Sequence, residues 1–245
     1  MADTRRSALV TGASRGIGKA IATVLLERGY RVACGYRTRH DKAAELAARH
    51  AEAFPVQLDI HERASVQGAL AAVAKRFGRP IDILVNNAAV ADERPFATIT
   101  DADWDRVLET NLRGPFIAAQ EALPSMLERH WGRVVNIVSI GGQWGGIRQV
   151  HYAAAKAGLI NLTQSLARLY SPHGITSNAV SPGLVETEMV QDELQSAAGR
   201  AKLAQIPLGR IANPPEIAAA VAFLCSDEAG YITGQTINVN GGMLF

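Results

Sequence analysis

The chain has 245 residues, 48% of them hydrophobic and 20% charged, with a formal net charge of +2 at pH 7. These values favour one α/β domain with a large core, because two half-size domains would each bury less surface. The Lys and Arg residues are scattered, which excludes the concentrated basic face of a nucleic-acid-binding protein. The sequence has no apolar run long enough to span a bilayer and no apolar segment of a signal peptide at its start.

The two cysteines, Cys34 and Cys225, fall in a predicted strand and a predicted helix. They give no disulfide framework, which is typical of a reducing compartment. We therefore expect a cytoplasmic protein that binds neither nucleic acid nor membrane, and we expect no metal site.

Seven short β-rich runs alternate with helical patterns along the chain. This order predicts a parallel sheet with helices on both faces, which is a single Rossmann-type, doubly wound domain spanning residues 1–245. The stretch 186–207 has a helix-like part but no strand, and we expect it to form a substrate lid. The predicted strands are Ala8–Thr11, Arg31–Tyr36, Ala53–Leu58, Ile81–Asn86, Val134–Val138, Thr176–Val180 and Thr236–Val239.

A glycine-rich segment follows the first strand and opens a helix. In this context glycines let the backbone approach a pyrophosphate, whose charge the helix N-terminus attracts. The spacing G-x-x-x-G-x-G departs from the usual dinucleotide fingerprint, so a tight turn that simply needs glycine is the alternative. The predicted phosphate-binding residues are Gly12, Ser14, Arg15, Gly16, Ile17 and Gly18.

The second and third strands predict the cofactor. The second ends without the acid that would bind a ribose hydroxyl, and Arg37 stands near that position. A guanidinium there suits a 2′-phosphate, so we expect NADP(H) in preference to NAD(H), although a solvated arginine is also common there. Asp59, followed by Ile60, either holds the adenine amino group or caps the helix beginning near Glu62.

Polar residues also follow the later strands, at the edge of the sheet where doubly wound folds bind ligands. Asn86-Asn87-Ala88 ends the fourth strand and Ser139 follows the fifth. Asn111 interrupts the predicted helix Asp103–Gln120 with a residue of poor helix propensity. Each of these residues, taken alone, is also explained by a turn, a cap or a helix irregularity.

Tyr152 and Lys156 are one turn apart in a predicted helix that runs to Tyr170. Residues at i and i+4 are neighbours, so the phenol and the ammonium face the same way. A nearby cation lowers the pKa of a tyrosine from its usual value near ~10, which makes Tyr152 a candidate general acid or base. In isolation, an ordinary amphipathic helix explains the pair equally well.

Together these segments resemble the short-chain dehydrogenase/reductase family, over the chain from Leu9 to Gly242. Asn111-Leu112, the run Gly132–Ile137, the run Tyr152–Gly158 and the Asn240-Gly241-Gly242 ending look most like 3-oxoacyl-[acyl-carrier-protein] reductases. The resemblance implies a catalytic tetrad and further cofactor contacts. The tetrad is Asn111, Ser139, Tyr152 and Lys156, and the further contacts, besides Tyr152 and Lys156 themselves, are Asn87, Ala88, Pro182, Gly183, Val185 and Thr187.

The resemblance implies a homotetramer that uses NADPH to reduce a carbonyl, most simply that of a 3-oxoacyl thioester. Tyr152 would donate the proton while Ser139 holds the carbonyl oxygen, and Lys156 would lower the phenol pKa and bind the nicotinamide ribose. Asn111 would hold a relay water. The predicted substrate pocket consists of Ser139, Gln143, Trp144, Ile147 and Tyr152. A secondary alcohol or sugar dehydrogenase, and a non-catalytic NADP-sensing module, are the alternatives.

Two departures from the family pattern affect these expectations. Ala89 stands where relatives usually have glycine, which would tighten the nicotinamide pocket. His130-Trp131 and Pro172-His173 stand where carrier-protein reductases often have basic residues. Since histidine is largely neutral at pH 7, we expect weak attraction for an acidic acyl carrier protein, a possible partner.

Overall fold

The structure is a computed structural model that describes residues 5–186 and 197–245. Its strands form one seven-stranded sheet in the order β3-β2-β1-β4-β5-β6-β7. All neighbouring strands are parallel, which confirms the predicted doubly wound sheet. The strands are β1 Ser7–Val10, β2 Arg31–Tyr36, β3 Ala53–Gln57, β4 Ile83–Asn86, β5 Gly132–Ile137, β6 Ile175–Pro182 and β7 Thr236–Val239.

Helices cover both faces of this sheet, as the βαβα order predicts. The α-helices are α1 Gly16–Glu27, α2 His40–Arg49, α3 Arg63–Phe77, α4 Asp101–Leu108, α5 Gly114–Glu128, α6 Gly141–Trp144, α7 Val150–Tyr170, α8 Ala197–Ala204 and α9 Pro214–Leu224. Short 3₁₀ turns span Phe96–Thr98 and Ser171–His173. None of the helices in the described parts of the chain is long and apolar enough to cross a membrane.

The core is divided between the two faces of the sheet, because successive side chains of a strand point to opposite sides. In β1, Ala8 and Val10 belong to one buried cluster and Leu9 belongs to the other. The first cluster includes Ile21 and Leu25 of α1 and Val221 of α9. The second includes Val66 and Val73 of α3 and Ile117 and Met126 of α5.

The strand order reverses between β1 and β4, which is where doubly wound sheets open a crevice for ligands. The chain leaving β1 stays paired with β4, since the Thr11 amide donates to the Val85 carbonyl at 3.0 Å. The glycine-rich segment and Asn87-Ala88 therefore emerge side by side at the carboxyl edge.

A chain of buried amides connects the middle of the sheet to α7. Asn86 Nδ2 donates to Asn136 Oδ1 at 2.8 Å, and Asn136 Nδ2 donates to Thr163 Oγ1 at 2.9 Å. The Thr163 hydroxyl donates in turn to the Leu159 carbonyl at 2.7 Å. Strands β4 and β5 and the helix that carries Tyr152 are thus held in one register.

The predicted helix Asp103–Gln120 is not continuous. Helix α4 ends at Leu108, a π-helical turn spans Glu109–Arg113, and α5 then begins at Gly114. Such turns with an extra residue often occur at functional sites. Asn111 lies within this one, so the poor helix former marks a change of helix type.

The predicted lid falls partly outside the described residues, which omit 187–196. Its described part contains α8, close to the predicted helix-like stretch. Before the gap, Val185 is buried and forms a parallel bridge with Ala212. The lid function remains a prediction.

Candidate active site

The glycine-rich turn is shaped by contacts that exclude side chains. Gly12 and Gly16 have φ values of 66° and 52°, in the left-handed region that favours glycine. At Gly18 a Cβ atom would collide with the Gly12 carbonyl oxygen and the Asn87 side chain. The turn therefore needs its glycines for its own geometry, whatever it binds.

Thr11 and Asn87 hold this turn against β4. The Thr11 hydroxyl oxygen accepts hydrogen bonds from the Asn87 and Ala88 amides at 2.9 and 3.0 Å. The Asn87 side-chain amide donates to the carbonyls of Thr11 and Gly12 at 2.9 and 3.2 Å. Asn87, a predicted cofactor contact, thus also fixes the shape of the glycine turn.

A cleft of about 520 Å³ opens over the turn and extends along the ends of β2 and β3. This is within the usual range for cofactor sites. The structure brings most of the predicted cofactor residues together in its lining. They are Gly12, Ser14, Arg15, Gly16, Ile17, Gly18, Arg37, Asp59, Ile60, Asn87 and Ala88.

Arg15, Arg37 and Arg39 all line this cleft and are exposed. Arg39 also makes an ion pair with Asp41 at 3.6 Å. Guanidinium groups and the start of α1 suit the phosphates of a dinucleotide, and the Asp59 carboxylate in the lining can accept a hydrogen bond from an adenine amino group. The residues present therefore fit an NAD(P) cofactor.

Asp59 was predicted either to face the adenine or to cap α3. The residue at the cap position is Glu62, whose side chain makes no capping hydrogen bond. Asp59 Oδ1 accepts instead from the His61 amide at 3.0 Å, and the Asp59 amide donates to Ser65 Oγ at 2.9 Å. Its place in the cleft lining favours the adenine-facing alternative.

Other predicted cofactor contacts lie at the same edge of the sheet but outside this cleft lining. Pro182 ends β6, and its carbonyl accepts from the Ile140 amide at 3.3 Å, which brings it beside the Ser139 segment. Gly183 and Val185 follow it. Thr187 lies outside the described residues.

Ser139 and Tyr152 meet where β5 ends and α7 begins. Ser139 Oγ accepts from the Gly141 amide at 3.1 Å, and the Ser139 side chain is close enough to Tyr152 to influence the pKa of its hydroxyl. Desolvation raises the pKa of Tyr152 to about 12, and the interaction with Ser139 acts in the opposite direction. The phenol is therefore protonated at neutral pH.

Lys156 is fully enclosed one turn further along α7. Its Nζ donates to the Ile137 carbonyl at 2.8 Å and lies 5.5 Å from the centre of the Tyr152 ring. Burial lowers the pKa of Lys156 to about 7. Desolvation is the main cause of the pKa shift in both groups, and the lowering of the phenol pKa by Lys156 stays a prediction.

Asn111 lies in the π-helical turn, which packs against α7, and His151 directly precedes Tyr152; both are completely buried. Asn111 Nδ2 donates to the carbonyls of Val90 and Val107, at 2.8 and 2.9 Å, which ties the π-helical turn to the chain after β4. Asn111 Oδ1 and both ring nitrogens of His151 have no hydrogen-bond partner among the described residues. Buried polar groups of this kind are concentrated at functional sites.

The predicted substrate residues after β5 form an open rim. The Gln143 side-chain amide donates to Ser181 Oγ and Asn238 Oδ1 at 2.8 and 2.7 Å, so its donors are already engaged. Trp144 and Ile147 are 52% and 96% exposed. Substrate contact by these side chains remains a prediction.

His130 and His173, the residues considered for carrier-protein attraction, lie away from Ser139 within a single chain. They precede β5 and β6, at the amino edge of the sheet, whereas Ser139 follows β5 at the carboxyl edge. A strand of this length spans roughly 20 Å at about 3.3 Å per residue. The structure also shows Arg6 and Arg133 stacked on Trp131 there, so arginines accompany the two histidines.

Several cleft residues escaped the sequence reasoning, namely Tyr36, Thr38, Arg39, His61, Val90 and Thr110. Most follow a predicted strand within a few residues, so their position at the carboxyl edge was the available signal. Thr110 had no such signal, because the π-helical turn brings it into the lining.

The fold and the site define a class of protein. A doubly wound sheet with a dinucleotide-sized cleft, next to a protonated tyrosine held by a serine and a buried lysine, is suited to nicotinamide-dependent oxidation and reduction. No group of three or more His, Cys, Asp or Glu side chains that could hold a metal occurs among residues 5–186 and 197–245.

Comparisons with known proteins identify the family. A family model described as enoyl-(acyl carrier protein) reductase matches residues 12–244. The 3-oxoacyl-[acyl-carrier-protein] reductase FabG of Staphylococcus aureus is 43% identical over 242 residues, covering 97% of this chain and 98% of that protein. The protein of the same name from Vibrio cholerae is 43% identical over 237 residues, covering 96% of each chain.

A solved structure is similar over the same length. A crystal structure proposed to be a gluconate dehydrogenase from Agrobacterium tumefaciens superposes with a TM-score of 0.93 at 33% identity, covering 97% of this chain and 95% of that one. The chain belongs to the short-chain dehydrogenase/reductase family. It is an NAD(P)H-dependent oxidoreductase that acts on CH–OH and carbonyl groups, which excludes the non-catalytic alternative.

Proposed function

We propose that the protein reduces the 3-oxo group of an acyl thioester to the 3-hydroxy product, with NADPH in preference to NADH. The observation that carries this proposal is the placement of Ser139 and Tyr152 together at the carboxyl edge of the sheet, the edge on which the dinucleotide cleft opens. Relatives named 3-oxoacyl-[acyl-carrier-protein] reductase, 43% identical over nearly the whole chain, support the substrate class.

Tyr152 is the proton donor in this proposal. When bound, the reduced nicotinamide supplies the hydride. The Ser139 hydroxyl orients the carbonyl oxygen toward the phenol. Since desolvation keeps the pKa of Tyr152 at about 12, the phenol holds its proton until charge develops on that oxygen. A proton given by a positioned acid contributes typically ~10²–10⁴-fold to the rate.

Lys156 and Asn111 support this transfer. Lys156, held by the Ile137 carbonyl, is placed one helical turn from Tyr152 to bind ribose hydroxyls and replace the proton that Tyr152 gives up. The unpartnered Asn111 Oδ1 is an acceptor for a relay water. In this role Asn111 connects the buried lysine to solvent.

The preference for NADPH rests on the arginines at the adenine end of the cleft. Arg37 follows β2, where an acid would bind the ribose of NAD, and Arg15 approaches from the glycine turn. Charged hydrogen bonds from a guanidinium to a phosphate are strong and directional. Arg37 is therefore the main determinant in the proposal.

A second candidate is a sugar-acid or secondary-alcohol dehydrogenase that works in the oxidative direction. The observation in its favour is the TM-score of 0.93 with the structure proposed to be a gluconate dehydrogenase. Trp144 and Ile147 are exposed and carry no charge that would favour one of the two substrate classes.

We propose a homotetramer located in the cytoplasm, with acyl carrier protein as a partner. An exposed apolar groove formed by Leu112, Phe116 and Leu162, flanked by Glu109 and Arg113, supports association through α5 and α7. Self-association would cover Phe116, which is 43% exposed.

The test is a steady-state comparison of kcat/KM for a small 3-oxoacyl thioester, the same acyl group on acyl carrier protein, and a sugar acid. Each is measured with both nicotinamide cofactors, and mass is measured by light scattering. We expect thioester reduction with NADPH to be the fastest. Efficient sugar-acid oxidation without thioester reduction would establish the second candidate instead.

A further inference from the structure

His61 lies between the adenine end of the cleft and the helical turn that carries Asn111. It follows Asp59 and Ile60 at the end of β3, lines the cleft and is half-buried. Its ring nitrogen Nε2 is 2.8 Å from Thr110 Oγ1, a buried residue next to Asn111. None of the proposed catalytic steps uses this contact.

The surrounding hydrogen bonds assign the tautomer. The Thr110 hydroxyl already donates its only proton to the Arg106 carbonyl at 2.9 Å. It must therefore accept from His61, so Nε2 carries the hydrogen. The other nitrogen, Nδ1, lies 3.7 Å from Asp59 Oδ1 and in the neutral ring presents a lone pair toward the adenine end.

Two more contacts dock the same short segment on the π-helical turn. Arg113 donates to the His61 carbonyl at 3.0 Å. Ile60 packs against the first residue of α5, since a Cβ at Gly114 would lie 2.7 Å from Ile60 Cδ1. The segment proposed to receive the adenine and the turn that contains Asn111 thus pack together, and the partly buried His61–Thr110 bond joins them.

We propose that His61 is a positioning residue: its hydrogen bond to Thr110 makes occupation of the adenine end order the turn that carries Asn111. The proposal rests on the proposed dinucleotide site and on the role of Asn111. A ligand can order a distant segment only through a difference in free energy between the two states, and that coupling is reciprocal. Loss of the link must therefore abolish the ligand's effect on the turn, and it weakens binding by at most the same factor.

The experiment uses ligands that occupy only the adenine end, namely adenosine 2′,5′-bisphosphate and 5′-ADP. Their Kd is measured by calorimetry, and amide hydrogen exchange of residues 107–114 is measured with and without each ligand. In the native protein we expect the ligand to slow exchange there about fivefold or more, the lower range of typical couplings.

The variants separate this role from simple binding. His61→Leu and Thr110→Val remove the bond, so the slowing should be lost and the Kd should rise by up to the same factor, about fivefold. His61→Gln keeps an N–H donor near the Nε2 position and should restore both values. Thr38→Ala, on the other side of the cleft, is the matched control and should leave the slowing intact.

The remaining outcomes are decisive. If His61→Leu raises the Kd while residues 107–114 still respond to ligand, His61 only contacts the adenine and the proposal is overturned. No response in the native protein also overturns it. If only 5′-ADP binds, the proposed NADPH preference is wrong, and the exchange measurement with 5′-ADP still tests the role of His61. If neither ligand binds, both the proposed cofactor site and the role of His61 are overturned.

Discussion

The glycine turn and the Tyr152 region, meaning Ser139, His151, Tyr152 and Lys156, lie at the same edge of the sheet. They differ in how far their polar groups are satisfied by hydrogen bonds. In the turn, Thr11 and Asn87 saturate one another and the backbone with hydrogen bonds. In the Tyr152 region, burial shifts the pKa values of Tyr152 and Lys156 away from their ordinary values, and His151 has no partner among the described residues.

This difference separates a region built for shape from a region built for reactivity. A fully hydrogen-bonded turn keeps one geometry and needs no ligand to complete it. Desolvated and unpartnered groups cost stability and are retained where chemistry uses them. Substitutions in the glycine turn should therefore weaken cofactor binding, whereas substitutions in the Tyr152 region should lower kcat.

The largest effect is expected in the reactive region. Tyr152→Phe keeps the ring and removes the proton donor, so kcat should fall ~10²–10⁴-fold. The Kd for NADPH should change little, because the glycine cleft is untouched. Stopped-flow turnover and cofactor fluorescence measure the two quantities. Tyr170→Phe, at the other end of α7, is the control, and a Tyr152→Phe enzyme with most of its activity would show that the acid is misassigned.

The next effect tests the shaped region. A methyl group at Gly18 would collide with the Gly12 carbonyl, so Gly18→Ala should lose stability by about 1–3 kcal/mol, the usual range for overpacking. It should also weaken cofactor binding. Gly68→Ala in α3 is the matched control, because nothing lies within 4 Å of its added Cβ and the helix should gain about 0.5–1 kcal/mol. Equal urea midpoints for the two variants would contradict the tight turn.

A smaller effect concerns the choice of cofactor. Arg37→Asp should shift the ratio of NADPH to NADH affinities by ten- to a hundredfold, since a hydrogen bond to a charged group contributes about 1.5–3 kcal/mol. Arg168→Asp makes the same charge change on an exposed position of α7 and should leave the ratio unchanged. Titrations with both cofactors measure it, and equal affinities in the native protein would remove Arg37 from this role.

The smallest effect, taken per pH unit, is the change in the free energy of unfolding that results from burying Lys156. Its pKa is about 7 in the folded chain, below the ordinary lysine value, so between pH 7 and about 10 the unfolded chain binds a proton that the folded chain lacks. Stability due to this group therefore rises with pH in that window, by at most about 1.4 kcal/mol per unit. Below pH 7 both forms are protonated and the contribution is constant.

Lys156→Met cannot titrate and should not show this rise. Urea unfolding of the native chain and the variant at pH 7, 8 and 9 measures the difference between them. Parallel curves would mean that Lys156 keeps its charge when buried.

The sequence was enough to predict what depends on local pattern. Strands β2 and β7 match the predicted Arg31–Tyr36 and Thr236–Val239, because β-branched and apolar runs bounded by turns define them. The parallel pairing of the strands followed from their alternation with helices. Strand β6, by contrast, extends to Pro182, since pairing with β7 continues past the apolar run.

The rest depends on contacts between distant segments. Nothing in the pattern of 101–128 predicts a π-helical turn, because its hydrogen bonds differ from those of an α-helix by one residue. His61 and Thr110 are 49 positions apart, so their hydrogen bond is invisible before the fold is known. The lowered pKa of Lys156 could not be predicted for the same reason, since burial is a property of the packed molecule.

The buried amide chain from Asn86 through Asn136 to Thr163 has a consequence for how this sequence can change over evolutionary time. Each hydrogen bond in this chain joins one donor to one acceptor over a set distance. Replacing a single one of the three residues by an apolar residue would therefore leave its polar partner buried without a hydrogen bond. Such a replacement costs more than the exchange of all three residues together. We therefore expect these three positions to change together among distant homologues. The combination of residues found there should then indicate how α7 is aligned with β4 and β5 in each group of homologues.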